Sequence, residues 1–126
     1  MAVSALHRRH WQQRLESEAE AIAARRRWAD LQAQAAAGVL RAYWPQIQTV
    51  WLFGSVLEAG FGLTSDLDLC VEGLPSGALL EAMAVLDTSA FSAVPEEHRL
   101  PIDLVRLEAL PLHWQERLRE RARLLT

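Results

Sequence analysis

The sequence of 126 residues has only one cysteine, no lysine and no long apolar run. Because Cys70 has no second cysteine to pair with, an internal disulfide and a multi-cysteine zinc site are both excluded. The N-terminal stretch is rich in Arg, Gln and Glu, and no apolar run reaches the length of a signal peptide or a membrane span. These absences predict a cytoplasmic protein without membrane association.

The size and charge of the chain narrow the class of protein further. A length of 126 residues with 51% hydrophobic residues suits one compact domain with a real core. The formal net charge is −3, although all 13 basic residues are arginine. Because nucleic-acid coat proteins are strongly basic, we expect no direct nucleic-acid binding.

The most informative motif is Gly54-Ser55, followed ten residues later by Asp66-Leu67-Asp68. Side chains alternate along a strand, so Asp66 and Asp68 are predicted to project from one face and Leu67 from the other. Two carboxylates on a mostly apolar strand repel each other and cost desolvation energy. The usual counter-charge for such a pair is a hard divalent cation, and the pattern therefore predicts a Mg²⁺ site.

The Gly-Ser turn predicts a binding site for phosphate. Gly54 lets the backbone pass close to a bulky ligand, and Ser55 is a good N-cap for a helical turn over residues 56–59. The free amides of such a turn form an anion cradle. Since Mg²⁺ fills its remaining positions with water and phosphate oxygens, cradle and carboxylates together predict a metal-bound nucleoside triphosphate.

A third acid, Asp103, lies among apolar residues that read as a later strand. If that strand pairs with the strand of Asp68, Asp103 joins Asp66 and Asp68. Three carboxylates can carry two metal ions, which activate an attacking hydroxyl and stabilise a leaving pyrophosphate. Asp103 is then the best candidate to orient or deprotonate the acceptor hydroxyl.

Residues 5–43 read as helix, but their apolar stripe changes direction near Arg25-Arg26-Arg27. Trp11, Leu15 and Ile22 share one face, and the second half presents another. Either the first half faces a partner, in a homo- or hetero-oligomer, or two helices pack on each other within one monomer. We expect the three arginines to be a solvated face or a docking site for an acidic partner, not an RNA site.

The remaining elements predict an α/β (α+β) fold, a small mixed sheet flanked by helices with a long N-terminal helical extension. We expect residues 1–44 to form the helical region and residues 45–126 the core, together one compact domain. The predicted strands are 46–53, 67–72 and 102–107; the further helices are 75–85 and 111–123; and 88–99 is irregular.

Together, Gly54-Ser55, Asp66-Leu67-Asp68 and the later Asp103 resemble the nucleotidyltransferases of the DNA polymerase β superfamily. The chain looks most like the minimal nucleotidyltransferases (MNT), which are antitoxins paired with HEPN-domain ribonuclease toxins. The resemblance covers about residues 46–126. It implies that Gly54 and Ser55 bind the triphosphate and that Asp66, Asp68 and Asp103 bind Mg²⁺. It also implies transfer of AMP from ATP to a tyrosine hydroxyl of a HEPN toxin.

The chain departs from this family in the loop after Gly54-Ser55. Relatives often carry arginine there, within Ala-Arg-Gly, whereas this loop contains Glu58. An acid at this position favours an alternative, in which the protein neutralises its toxin by binding alone. A third possibility, a stand-alone enzyme acting on a small molecule or a nucleic-acid end, is favoured least because little of the chain remains to form an acceptor pocket.

Overall fold

A single long helix opens the fold. The structure, a computed structural model, describes residues 4–88 and 94–125, so the predicted irregular region 88–99 lies partly outside the described residues. Helix α1 (Ala5–Tyr43) spans 39 residues without interruption, about 58 Å at 1.5 Å per residue. The Ser4 hydroxyl caps its start by accepting a hydrogen bond from the His7 amide at 3.2 Å. Within the described residues, no helix is both long and apolar enough to span a membrane.

The two halves of α1 lie in different environments. Every described residue up to Ala21 is exposed, including Trp11 and Leu15. The second half packs its small side chains into the core through Ala29, Gln32, Ala33, Ala36, Ala37 and Leu40. The change of stripe near Arg25 therefore marks where one continuous helix leaves the domain, and the alternative of two helices packed on each other is wrong.

The remaining elements form a four-stranded mixed sheet with two shorter helices. The strand order is β3-β2-β1-β4; β1 runs antiparallel to both β2 and β4, whereas β2 and β3 are parallel. This agrees with the predicted mixed sheet, and β1 is central as its apolar residues indicated. The elements after α1 are β1 (Thr49–Phe53), β2 (Leu67–Glu72), α2 (Leu79–Thr88), β3 (Ile102–Arg106), α3 (Leu112–Arg121) and β4 (Arg123–Leu125).

The predicted bounds are close to the observed ones, with one strand missed. The bounds of β2 match the prediction, β1 begins three residues later than predicted, and β3 ends one residue earlier. Strand β4 was not predicted. Its first residue, Arg123, was assigned to the end of the helix after Pro111, but that helix ends at Arg121 and the chain then pairs with Val50–Leu52.

The sheet buries its two faces in two unequal clusters. On one face, β-strand residues such as Leu52 and Leu69 pack with α1 and α2 in the main core. On the other face, Trp51 and Cys70 form a smaller cluster with Leu107 and with Leu118 of α3. Burial, with Glu108 and Glu72 nearby, raises the pKa of the Cys70 thiol to about 12, so Cys70 is a buried structural residue. Helix α3 covers only part of this second face. The start of β2, which carries Asp68, therefore remains open.

One buried polar side chain ties α1 to the start of β3. Gln32 is almost fully buried, and its amide nitrogen donates to the Leu100 carbonyl at 2.8 Å. Its side-chain oxygen accepts from the Leu100 amide, also at 2.8 Å. This two-sided bond resembles strand pairing and holds the segment that leads to Asp103.

Replacing Gln32 is therefore expected to destabilise the fold. Gln32→Ala leaves both backbone groups of Leu100 buried without partners and opens a small cavity, at a cost of about 2–4 kcal/mol. Urea unfolding followed by circular dichroism measures the change. Gln34→Ala, two residues along on the exposed face of α1, is the matched control and should change the free energy of unfolding by less than about 0.5 kcal/mol. Equal effects of the two changes would contradict this role.

Candidate functional site

The register of the sheet brings two of the predicted acids side by side. Asp68 of β2 pairs with Asp103 of β3 in parallel register, and Phe53 of β1 lies across from Asp68 on the other side. Because paired residues of neighbouring strands lie about 4.8 Å apart and face the same way, the two carboxylates share one face of the sheet. The expectation that the strand of Asp103 pairs with the strand of Asp68 is confirmed.

Gly54 passes directly against the Asp68 carboxylate. Its φ is +82°, a conformation that side chains with a Cβ rarely adopt. A Cβ added to Gly54 would lie 2.2 Å from Oδ2 of Asp68, far inside van der Waals contact. The backbone at Gly54 therefore approaches the Asp68 carboxylate closely, and its predicted approach to a bound ligand stays a prediction.

An open cavity of about 650 Å³ lies over this end of the sheet. The sheet side contributes the two paired acids and Gly54, and helix α3 forms much of another wall. The lining residues are Phe53, Gly54, Leu57, Glu58, Asp68, Asp103, Val105, Leu110, Trp114, Arg117, Leu118, Arg121 and Ala122. This volume lies within the usual range for small-ligand sites.

The ionised form of Asp68 is disfavoured, and no cationic side chain of the described residues pairs with it. Burial raises the pKa of Asp68, and the negative charges of Asp103 and Asp66 raise it further. Within residues 4–88 and 94–125, the three aspartates make no ion pair and no side-chain hydrogen bond. An arginine that neutralised these acids would argue against a metal role, and none does so in the described residues.

The donor set fits a magnesium ion held by two carboxylates. In the described residues, no group of three or more His, Cys, Asp or Glu side chains lies close enough together to hold a metal. Mg²⁺ requires only one or two protein carboxylates, with water and phosphate oxygens completing its octahedron. The paired Asp68 and Asp103 can supply these. The predicted metal role of all three aspartates, and of a second ion, stays a prediction.

Asp66 and Ser55 lie beside the cavity but not in its lining. Asp66 is exposed at the residue before β2, where its charge still acts on Asp68. Ser55 lies in a 3₁₀ turn over Gly54–Leu57, which begins two residues earlier than predicted and has no side-chain cap. The N-cap role predicted for Ser55 is therefore wrong, because Ser55 is inside the turn. Its predicted contact with phosphate stays a prediction.

Two arginines of α1 hold the loops that border the site. Arg25 donates to the Ser65 carbonyl at 2.7 Å, next to Asp66. Arg26 donates to the carbonyls of Val56 and Glu58, the latter at 3.1 Å, and lies over the Phe61 ring at 4.8 Å. The expectation of a solvated face is wrong for these two residues and right for Arg27, which is exposed.

Three residues of α3 that line the cavity were missed from the sequence. Trp114, Arg117 and Arg121 lie three and four residues apart, so they share one face of the helix. About half of the surface of Trp114 is exposed. The spacing of these three residues was visible in the sequence. Nothing in the sequence indicated that this face of α3 lies against the sheet.

Three solved structures that are similar to this chain are toxin–antitoxin complexes. No protein-family model matches the sequence, and no curated protein matches it. One similar structure is a toxin–antitoxin with AMP-PNP, at a TM-score of 0.56 and 23% identity, covering 73% of this chain and 70% of the other. The toxin–antitoxin MntA–HepT gives a TM-score of 0.53 at 22% identity over 77% and 71%.

A third similar structure is a tri-AMPylated Shewanella oneidensis HEPN toxin in complex with MNT antitoxin. Its TM-score is 0.54 at 22% identity, over 78% of this chain and 71% of that one. At this level of identity the likeness shows the fold. The chain has the nucleotidyltransferase fold of the MNT proteins, and the resemblance stated from the motif is confirmed at that level.

The close approach of Gly54 to Asp68 predicts the effect of adding one methyl group. Gly54→Ala forces a strained backbone and displaces the Asp68 carboxylate, which should lower the free energy of unfolding by about 1–3 kcal/mol. Gly60→Ala is the control, because nothing lies within 4 Å of its added Cβ. Urea denaturation compares the two. A Gly54→Ala protein as stable as the control would contradict the observed approach.

The raised pKa of Asp68 predicts a stabilising substitution. Above its folded-state pKa, ionised Asp68 lowers the free energy of unfolding; below its ordinary value of 3.8 the acid is protonated in both states and the cost disappears. Without divalent cations, Asp68→Asn should therefore be more stable than the wild type at pH 7. This gain should shrink as the pH falls toward 3.8. Urea titrations across this range measure it.

The matched control for this charge effect is Glu20→Gln, an isosteric change at an exposed position of α1. It should show neither the gain at neutral pH nor the pH dependence. An Asp68→Asn protein that is less stable than wild type at pH 7 would show that the carboxylate is not under repulsive strain.

Proposed function

We propose that this protein is a Mg²⁺-dependent nucleotidyltransferase that transfers AMP from ATP to a tyrosine hydroxyl of a HEPN ribonuclease toxin, and so acts as its antitoxin. The observation that carries the proposal is the pair of neighbouring carboxylates, Asp68 and Asp103, which form no ion pair within the described residues. They lie beside Gly54 and line a cavity of about 650 Å³. A repelling pair of this kind favours a bound cation.

The proposed roles follow the order of the elements. Gly54 and Ser55 bind the triphosphate at the turn after β1. Asp68 and Asp103 would be the principal ligands of Mg²⁺, and Asp66, which lies outside the cavity lining, would contribute its negative charge. Bound Mg²⁺ would neutralise charge on the phosphate oxygens and on the leaving pyrophosphate.

Asp103 is the group proposed to receive the proton. The acceptor oxygen forms a bond to the α-phosphorus, the bond from that phosphorus to the pyrophosphate oxygen breaks, and the hydroxyl proton passes to the Asp103 carboxylate. Asp103 is exposed, whereas Asp68 is half-buried. A hydroxyl on a large protein acceptor can therefore reach Asp103 more readily than Asp68.

The partner is proposed from the solved neighbours. One neighbour is a complex of an MNT antitoxin with a tri-AMPylated HEPN toxin, and another holds AMP-PNP. Both the acceptor and the nucleotide of the proposal correspond to these complexes. The exposed N-terminal half of α1, with Trp11 and Leu15 on its surface, supplies an area through which a partner can dock.

A second candidate function is neutralisation of the toxin by binding alone. Glu58 lies in the cavity lining, in the loop where relatives often carry arginine, and its charge opposes the binding of phosphate. In this case the cavity would catalyse no reaction. Binding through the exposed N-terminal half of α1 would by itself suppress the toxin.

Label transfer separates these candidates. The chain is incubated with Mg²⁺, ATP labelled at the α-phosphate, and a HEPN protein encoded in a neighbouring reading frame. We expect label on the HEPN protein, none when the label is on the γ-phosphate, and none when Mg²⁺ is replaced by EDTA. Asp68→Asn should reduce the labelling rate at least 100-fold, on the order expected for loss of a metal ligand.

Matched controls define the contradicting outcome. Glu81→Gln, which removes a carboxylate at an exposed position of α2 outside the cavity lining, should label at the wild-type rate. If the wild type transfers no label, yet wild type and Asp68→Asn both suppress the ribonuclease, neutralisation by binding replaces the enzyme. If the chain neither labels nor suppresses a HEPN protein, the antitoxin proposal fails.

A further inference from the structure

Helix α3 presents a cationic wall to the cavity that holds the acids. Arg117 and Arg121 are one turn apart and both line this space, together with Trp114 one turn before them. Leu118, on the same side of the helix, is buried in the smaller cluster and fixes α3 against the sheet. The two guanidinium groups are therefore carried on a rigid, docked helix.

These two arginines have no structural task in the described residues. Within residues 4–88 and 94–125, neither makes a hydrogen bond or an ion pair. Arg119, between them in sequence, behaves differently, since it pairs with Glu72 at 3.1 Å. Arg117 instead lies over the Trp114 ring at 5.2 Å, an arrangement that orients the guanidinium without neutralising it.

The cavity requires cations if a nucleotide is to bind. Asp68, Asp103 and Glu58 all line it, and a triphosphate would add further negative charge. The loop that follows Gly54 supplies no cation, because residues 56–60 read Val-Leu-Glu-Ala-Gly. Arg117 and Arg121 are the cationic residues of the lining. A guanidinium presents paired donors that match two phosphate oxygens, and it stays charged throughout the physiological range.

We propose that Arg117 and Arg121 bind the phosphate groups of the nucleoside triphosphate, and that Trp114 is a positioning residue for Arg117. This inference rests on the proposed nucleotidyltransferase function and names the residues that provide its anion site. It assigns to α3 the charge that the loop containing Glu58 lacks. The phosphates would then lie between a carboxylate wall on the sheet and a guanidinium wall on the helix.

Isothermal titration of the full chain with AMP-PNP in the presence of Mg²⁺ tests this assignment. Arg117→Gln and Arg121→Gln should each weaken AMP-PNP at least tenfold, since hydrogen bonds to charged groups carry much of the affinity for phosphate. Arg119→Gln is the matched control, with the same chemistry on the same helix, and should remain within twofold of wild type. Trp114→Leu should weaken binding less than Arg117→Gln, because it removes orientation and leaves the charge.

A second readout separates phosphate binding from a general structural role. If the two arginines contact the phosphates, both glutamine variants should lose discrimination between AMP-PNP and AMP, whereas a loosened fold would weaken both ligands alike. Arg117→Lys and Arg121→Lys retain the charge and should restore part of this discrimination. The lysine variants also allow the measurement if a glutamine variant does not fold, as judged by its urea midpoint.

The outcomes distinguish this inference from the function on which it rests. If wild type binds Mg²⁺ and AMP-PNP but both glutamine variants match Arg119→Gln, the assignment to α3 is overturned and the nucleotidyltransferase proposal stands. If wild type does not bind AMP-PNP at all, the proposed function fails and this inference fails with it. A tenfold loss with reduced discrimination between AMP-PNP and AMP supports the assignment.

Discussion

The approach of the Gly54 backbone to the Asp68 carboxylate constrains the whole site. Strand β1 runs antiparallel to β2, so the chain leaving β1 must turn beside Asp68. It can do so there only because Gly54 has no Cβ and adopts a positive φ. This turn half-buries Asp68 next to Asp103 and raises its pKa. The close approach of Gly54 therefore contributes to the burial that disfavours the ionised form of Asp68.

Helix α1 connects this site to the rest of the molecule. Its second half packs in the core, where Gln32 fixes the segment before β3 and thereby the register of Asp103. Nearly two turns earlier in the helix, Arg25 and Arg26 donate hydrogen bonds to three backbone carbonyls of the loop between Gly54 and Asp66. The segment before Asp103 and the loop before Asp66 are thus both held by α1. The exposed N-terminal half of this helix continues away from the domain.

Much of this architecture follows from local sequence signals. The apolar residues of 67–72 predict β2 with its observed bounds, whereas the face that Asp68 shares with Asp103 is set by the pairing of β2 with β3. Strand β4 has only three residues, and its Arg-Leu-Leu could equally continue a helix; pairing with β1 decides it. The roles of Arg25 and Arg26 were not predictable from spacing, because their acceptors are carbonyls 30 to 40 residues away. Arg117 and Arg121 had a visible helical spacing, but only tertiary packing shows which wall they form.

The balance of charge in the cavity bears on the choice between catalysis and binding alone. Neighbouring carboxylates on adjacent strands lower the stability of the protein when no cation is bound. A protein that neutralised its toxin by binding alone would gain stability by replacing them. The strongest feature against catalysis is Glu58, which adds to the repulsion of a triphosphate. Its effect weakens once α3 is considered, since Arg117 and Arg121 provide cations in the same cavity. The proposed catalytic function gives a role to the acids on the sheet, the arginines on the facing helix and the glycine turn between them, whereas neutralisation by binding alone gives a role to none of these residues.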